Sequence, residues 1–164
     1  LLRRRGVDHD VLVVGEGPAR DWFESRLPGA HFVGFQGGID LARAVASMDM
    51  LFNPSITETF GNVTLEAMAC GLPVVAAKAT GSQSLVSDGR SGRLVPPGAI
   101  GQYADALAAY CTDPALRAAH GMAGEARSRE FSWDAINQTV ADNYLRLIAQ
   151  RQRGLGPASD AAIR

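Results

Sequence analysis

Five short apolar runs, each followed closely by a glycine or proline and alternating with helix-like segments, constrain this chain more than any other feature. They occupy residues 10–15, 31–35, 49–53, 73–77 and 93–95. A strand that is apolar on successive residues, rather than on alternate ones, suits burial on both faces, as in a parallel sheet. The first of them, Asp10-Val-Leu-Val-Val-Gly15, is the model case and is stopped by Gly15 and Gly17. Residues 18–27 read as a helix with Pro18 near its first turn. Residues 39–48 place Ile39, Ala42, Val45 and Ala46 on one helical face. Residues 61–70 do the same with Val63, Ala67 and Cys70, flanked by Leu65 and Met68, and Gly71 stops them. Three more helical segments follow at 100–112, 114–130 and 132–151. Ser132 suits the N-cap of the last, and Ile136, Val140, Tyr144, Leu147 and Ile148 form its stripe. Strands alternating with helices across short turns predict an α/β fold with a Rossmann-like, doubly wound parallel sheet and C-terminal helices. The Gly-, Ala- and Ser-rich end lacks periodicity, so residues 1–152 are expected to fold and 153–164 to form a flexible tail.

Length and charge narrow the function. At 164 residues the chain is one ordinary domain, and 46% hydrophobic content excludes wholesale disorder. Sixteen basic residues against 17 acidic ones leave no basic excess for a nucleic-acid partner. Cys70 and Cys111 have no CxxC or Cys/His ligand spacing, which argues against a disulfide scaffold or zinc site and makes a reducing compartment the default. No run of eighteen apolar residues predicts a membrane-spanning helix. Arg3, Arg4 and Arg5 precede no apolar stretch, so this start reads as a helix end in a longer protein and not as a signal peptide.

Several enzyme signatures are missing: GxSxG, Walker A and HExxH. His9, His31 and His120 are scattered and read as structural or exposed. Gly15-Glu-Gly17-Pro-Ala-Arg20 begins like a dinucleotide fingerprint, but Arg20 stands at the third glycine's place. A tight strand-to-helix turn is the simpler account.

The dense segment is residues 53–75. A strand stops at Pro54, a loop carries Glu58, and a helix begins near Phe60 or Gly61. Amides at a helix start attract phosphate. Glu66, about one and a half turns into that helix, can accept hydrogen bonds from a ribose diol, and Glu58 from a second polyol. Amides between two such carboxylates suit a nucleotide-sugar. On spacing alone, Glu58 reads equally as an exposed loop acid and Glu66 as part of a solvated helix face.

Glu58 and Glu66 with seven residues between them, Phe60-Gly61, Glu66-Ala-Met-Ala, Gly71-Leu-Pro-Val-Val75 and Asp88-Gly-Arg-Ser-Gly92-Arg-Leu-Val-Pro-Pro-Gly98 together resemble glycosyltransferase family 4. The resemblance, to the C-terminal donor-binding domain of these retaining GT-B enzymes, runs from Val11 to the final helix. It implies that Glu58 holds donor-sugar hydroxyls and is catalytic, with Thr59, Phe60 and Gly61 facing the same sugar. It implies that Asn62 and Val63 supply amides to the diphosphate and that Glu66 binds the ribose. Phe35 and Gln36 fall where the base sits. The implied donor is a UDP- or GDP-sugar, the transferred group a hexose, and the acceptor a glycan, lipid or other molecule. No metal or other cofactor is implied.

Two departures stand out. The family writes Gly-Gly-x-x-Glu where this chain has Thr80-Gly81-Ser-Gln-Ser84, so the acid's charge is absent. The family's phosphate-binding Arg and Lys lie on a segment this sequence lacks, and Lys78 is too far along to replace them. The chain is thus expected to be a fragment, inactive alone, without the domain's first strand and the N-terminal acceptor domain. The resemblance implies a cytoplasmic parent and leaves open its peripheral association with the inner membrane face. Two rival readings are a nucleotide-sugar binding or regulatory module and a GT-B-like sugar-nucleotide epimerase.

Overall fold

Every strand of the fold is short, parallel to its neighbour and followed by a helix, as the alternating sequence pattern requires. The computed structural model describes residues 1–154, and the chain divides into two units, Leu1–Arg129 and one beginning at Glu130. In the first unit the elements run β1 (Leu12–Val13), α1 (Arg20–Glu24), β2 (His31–Phe32), α2 (Gly38–Ala46), β3 (Leu51–Asn53), α3 (Asn62–Ala69), β4 (Val74–Ala77), α4 (Thr80–Leu85), β5 (Gly92–Val95), α5 (Ile100–Thr112) and α6 (Pro114–Ser128). The α/β class and parallel pairing are as the sequence predicts.

The single sheet divides, however, into two ladders, β1-β2 and β3-β4-β5. A doubly wound sheet has the strand order 3-2-1-4-5-6. Counted as the second to sixth strands of that order, the five strands make the pairings 3-2 and 4-5-6. Those two groups are neighbours only through strand one, so β1 and β3 have no reason to pair directly.

Burial follows the ladders. All four residues of β4 are fully buried. Val75 and Ala77 face a core shared with Val95, Tyr103, Ala106 and Tyr110. Alternation turns Val74 and Ala76 to the opposite face, and α3, which packs on β3 and β4, buries Thr64, Ala67 and Met68. The first apolar run was expected to be buried on both faces, yet only Leu12 and Val13 form β1 and both are half-buried. With a strand partner on one edge only, β1 cannot reach the environment of β4.

Close backbone approach sets the α6 packing. A Cβ on Gly121 would overlap the Gly71 carbonyl, and one on Gly92 would overlap the Val74 carbonyl. Small residues at these points let α6 lie against the end of α3 and let β5 seat beside β4.

Three expectations need correction or completion. Helix α4 was not foreseen, because Thr-Gly-Ser-Gln-Ser is a poor helix-forming sequence. Arg127 of α6 holds its end, with Nε donating to the Leu85 carbonyl at 2.5 Å and Nη2 to the Ser84 carbonyl at 2.7 Å. The basic start is a 3-10 turn, Arg3–Arg5, closed by Gly6 in the left-handed region, rather than the end of an α-helix. In the second unit α7 (Trp133–Gly154) begins where the Ser132 hydroxyl accepts the Ala135 N–H at 3.2 Å, the capping role expected of it. Arg153 and Gly154 belong to that helix and not to a tail, and residues 155–164 of the expected tail lie outside the described residues.

Candidate functional site

The predicted site residues leave the carboxyl ends of their strands, where open α/β sheets bind ligands. Phe35 and Gln36 follow β2, and the segment 54–61 follows β3. Asn53, the last residue of β3, anchors both ends of that segment. Its Nδ2 donates to Thr64 Oγ1 of α3 at 3.3 Å, and its Oδ1 accepts the Ser55 N–H at 3.2 Å.

Gly61 is the N-cap of α3, at φ 95°, a left-handed conformation that side chains other than glycine's resist. Its carbonyl accepts the Leu65 N–H at 3.0 Å, which starts the helix. No side chain caps the first turn, so the Asn62 and Val63 amides begin the helix without a side-chain acceptor. Asn62 and Val63 are exposed. An exposed, uncapped helix start is the geometry an anion seeks.

Glu58 is half-buried in the loop, Thr59 exposed and Phe60 half-buried. The Glu58 carbonyl accepts two hydrogen bonds, from Thr80 Oγ1 and from the Gly81 N–H, each at 3.1 Å. Glu66 lies in the second turn of α3 on the exposed side. Among the described residues neither glutamate's carboxylate is engaged by an ion pair or a hydrogen bond.

Phe35 is 76% exposed, an unusual position for a phenyl ring, and Gln36 Nε2 donates to the Val33 carbonyl at 2.7 Å. The turn that carries both leads directly into α2, and α2 packs beside α3. The structure thus carries Glu58 through Val63 and Glu66 on one loop and helix, with Phe35 and Gln36 on the separate turn before α2. The Gly15–Gly17 turn plays a local part instead: the Gly15 N–H bonds the Gly34 carbonyl at 2.8 Å, and the Arg20 guanidinium lies 5.8 Å from the Phe32 ring centre.

Sequence reasoning missed Thr80, Gly81 and Leu85. Thr80 and Gly81 stand in the sequence only as part of a departure from the family pattern, and Leu85 carries no signal there. Ser84, the residue in place of the family acid, is exposed, and its hydroxyl donates back to the Thr80 carbonyl at 3.3 Å. Lys78 is exposed at the end of β4.

Away from this site, Tyr110 and His120 form a partly buried pair, with Tyr110 Oη 2.7 Å from His120 Nδ1. Burial pushes the Tyr110 hydroxyl up to about 12, with Arg93 opposing the rise. Burial, and then the positive Arg93, hold His120 below its ordinary value. Among the described residues no three His, Cys, Asp or Glu side chains gather as a metal site, and no helix is long and apolar enough to cross a membrane.

The geometry can be set beside known proteins. The D-inositol 3-phosphate glycosyltransferase of Kribbella flavida is 46% identical over 158 residues, covering 88% of this chain and 37% of that protein. The GDP-mannose-dependent alpha-mannosyltransferase of Corynebacterium glutamicum is 28% identical over 94% of this chain and 38% of its own length. This chain therefore spans well under half the length of these relatives. Among solved structures, Anabaena HepE superposes with a TM-score of 0.72 at 31% identity, over 82% of this chain and 40% of that one. HepE was crystallised with UDP and, separately, with UDP and glucose. Residues 1–113, which hold both ladders and the whole candidate site, match the family described as glycosyl transferases group 1, and to that family the chain belongs.

Proposed function

We propose that this chain is the donor-binding half of a retaining glycosyltransferase that moves a hexose from a UDP- or GDP-sugar to a glycan, lipid or other acceptor. The carrying observation is the Glu58–Gly61 loop running into the uncapped start of α3, with Glu66 exposed one turn later. The relatives' names and the UDP and glucose in the HepE crystals support a nucleotide-sugar at such a site.

In this reading the diphosphate sits at the Asn62 and Val63 amides, and Glu66 accepts both ribose hydroxyls. Phe35 stacks on the base and Gln36 lies at its edge. Glu58, Thr59, Phe60 and Gly61 surround the sugar, with the Glu58 carboxylate accepting its hydroxyls. As the bond from the anomeric carbon to the diphosphate oxygen breaks, negative charge grows on the phosphate and positive charge on the sugar. Fixed amide dipoles meet the first and Glu58 the second, an electrostatic contribution that needs no reorganisation at the moment of reaction. No metal is needed, because cationic side chains from outside this chain complete the phosphate site.

The reading includes an additional strand between the open edges of β1 and β3, and an N-terminal domain that binds the acceptor. It places the parent in the cytoplasm, with peripheral contact at the inner membrane face. The test is kinetic. In the intact enzyme Glu58→Gln should lower turnover by about 10²-fold or more, the scale of one lost preorganised group. Unchanged turnover would remove Glu58 from the chemistry. Calorimetry with UDP, GDP, ADP and their sugars would identify the donor.

A further inference from the structure

Helix α4 touches the candidate sugar loop at three successive points, although none of its residues was assigned a role. The Thr80 hydroxyl and the Gly81 N–H both donate to the Glu58 carbonyl at 3.1 Å, which fixes the plane of the peptide that follows Glu58. At Gly81 the two backbones are as close as a glycine permits. A Cβ there would stand 2.9 Å from the Glu58 oxygen and 3.0 Å from both Glu58 Cβ and the Phe60 carbonyl carbon. One helical turn on, Leu85 Cδ1 would lie 3.4 Å from a Cβ placed on Gly61. Gly81, Ser82 and Leu85 are buried, so α4 is wedged under the loop. Its far end is pinned by the two Arg127 hydrogen bonds from α6.

We propose that α4 is the seat that sets the height and direction of the donor-sugar loop, with Thr80 and Gly81 as positioning residues that act through Glu58. The inference rests on the reading of Glu58 as a donor-sugar group and adds to it the device that aims that group. The two bonds hold the Glu58 main chain while its carboxylate stays available. The lack of a Cβ at Gly81 lets the loop sit low against the sheet edge. A carboxylate carried on an unsupported loop would sample several positions, and a displacement of about 1 Å costs on the order of 10²-fold in rate.

The test uses the intact enzyme with its donor and compares Thr80→Val, Thr80→Ser and Gly81→Ala. Thr80→Val removes one hydrogen bond from an exposed residue and should leave the melting temperature nearly unchanged. It should lower kcat about tenfold while nucleoside diphosphate affinity stays within about twofold, since misaiming of Glu58 touches the sugar and not the nucleotide. Thr80→Ser should restore kcat. Gly81→Ala should lower kcat more, by about 10²-fold, because it displaces the loop itself. In a Glu58→Gln background Thr80→Val should have no further effect, the signature of a residue that acts through Glu58.

Equal losses in turnover and diphosphate affinity would mean general damage to the loop and would overturn the inference. So would a Thr80→Val loss that adds fully to that of Glu58→Gln. Full turnover in Thr80→Val and Gly81→Ala beside an impaired Glu58→Gln would overturn the inference alone. Full turnover in Glu58→Gln would overturn the donor-sugar reading together with it.

Discussion

The two ladders begin from the same local pattern, an apolar run closed by glycine or proline and followed by a helix, yet they end in different environments. In β3-β4-β5 the central strand is fully buried, and α6 presses glycines against the backbone below it. In β1-β2 both strands are half-buried or exposed, and Phe35 just after β2 stands largely in solvent. Local pattern sets element type, whereas neighbours on both edges and both faces set burial. The predicted site spans this boundary. Its proposed sugar and phosphate parts follow β3 in the tightly packed ladder, and its proposed base contact follows β2 in the looser one.

The largest effect should come from disturbing the close approach. Gly121→Val would drive a side chain into the Gly71 carbonyl and should cost about 3 kcal/mol or more by overpacking. Gly17→Ala, in the looser region with nothing within 4 Å, should change stability by no more than about 0.5 kcal/mol. Denaturant midpoints of the two variants would check the contrast, and similar losses would break it.

A cavity pair sharpens the same point. Met68→Ala removes a fully buried side chain and should cost about 2–5 kcal/mol. Leu12→Ala, at a half-buried position, should cost less, about 1–2 kcal/mol, in proportion to the smaller area returned to water. Chemical denaturation of both would measure the ratio, and equal costs would show that the ladders are packed alike.

A smaller effect concerns pH. His120 is held below its ordinary 6.5 in the fold, so the unfolded chain binds its proton more readily. The stability it contributes is therefore present above about 6.5 and is lost as pH falls through the lowered folded value. Protonation would also remove the Nδ1 lone pair that can accept the Tyr110 hydroxyl. Melting temperatures should drop from pH 7 toward pH 5, and His120→Phe should flatten that slope. The smallest effect belongs to Asp40 and Arg43, whose ion pair is 3.3 Å long and well exposed. Breaking it with Arg43→Ala should change stability by about 0.5 kcal/mol or less.

Much of this organisation was legible in the residues. Gly61, placed just before an amphipathic run, marked the start of α3, and the bounds of α5 were found to the residue because Pro96-Pro97-Gly98 and Pro114 punctuate it. The candidate site was legible as a segment, since Glu58 through Glu66 are contiguous and need only one loop and one helix to assemble. The rest depends on contacts distant in sequence. Helix α4 is held at its end by Arg127, more than forty residues later, and nothing in Thr-Gly-Ser-Gln-Ser announces that support. The exposure of β1 was hidden for the same reason. A run such as Val-Leu-Val-Val states what it can bury and not what is there to cover it.

In the proposed reading Glu66 and the start of α3 hold a nucleoside diphosphate while Glu58 serves the sugar. Titration calorimetry of UDP and GDP into the intact enzyme, repeated for Glu66→Ala and Glu58→Gln, tests it most directly. Loss of two hydrogen bonds to a carboxylate should weaken diphosphate binding to Glu66→Ala by about 2–4 kcal/mol, while Glu58→Gln should bind like the unmodified enzyme. Undiminished diphosphate affinity in Glu66→Ala, or a loss confined to Glu58→Gln, would rule out this division of roles between the two glutamates.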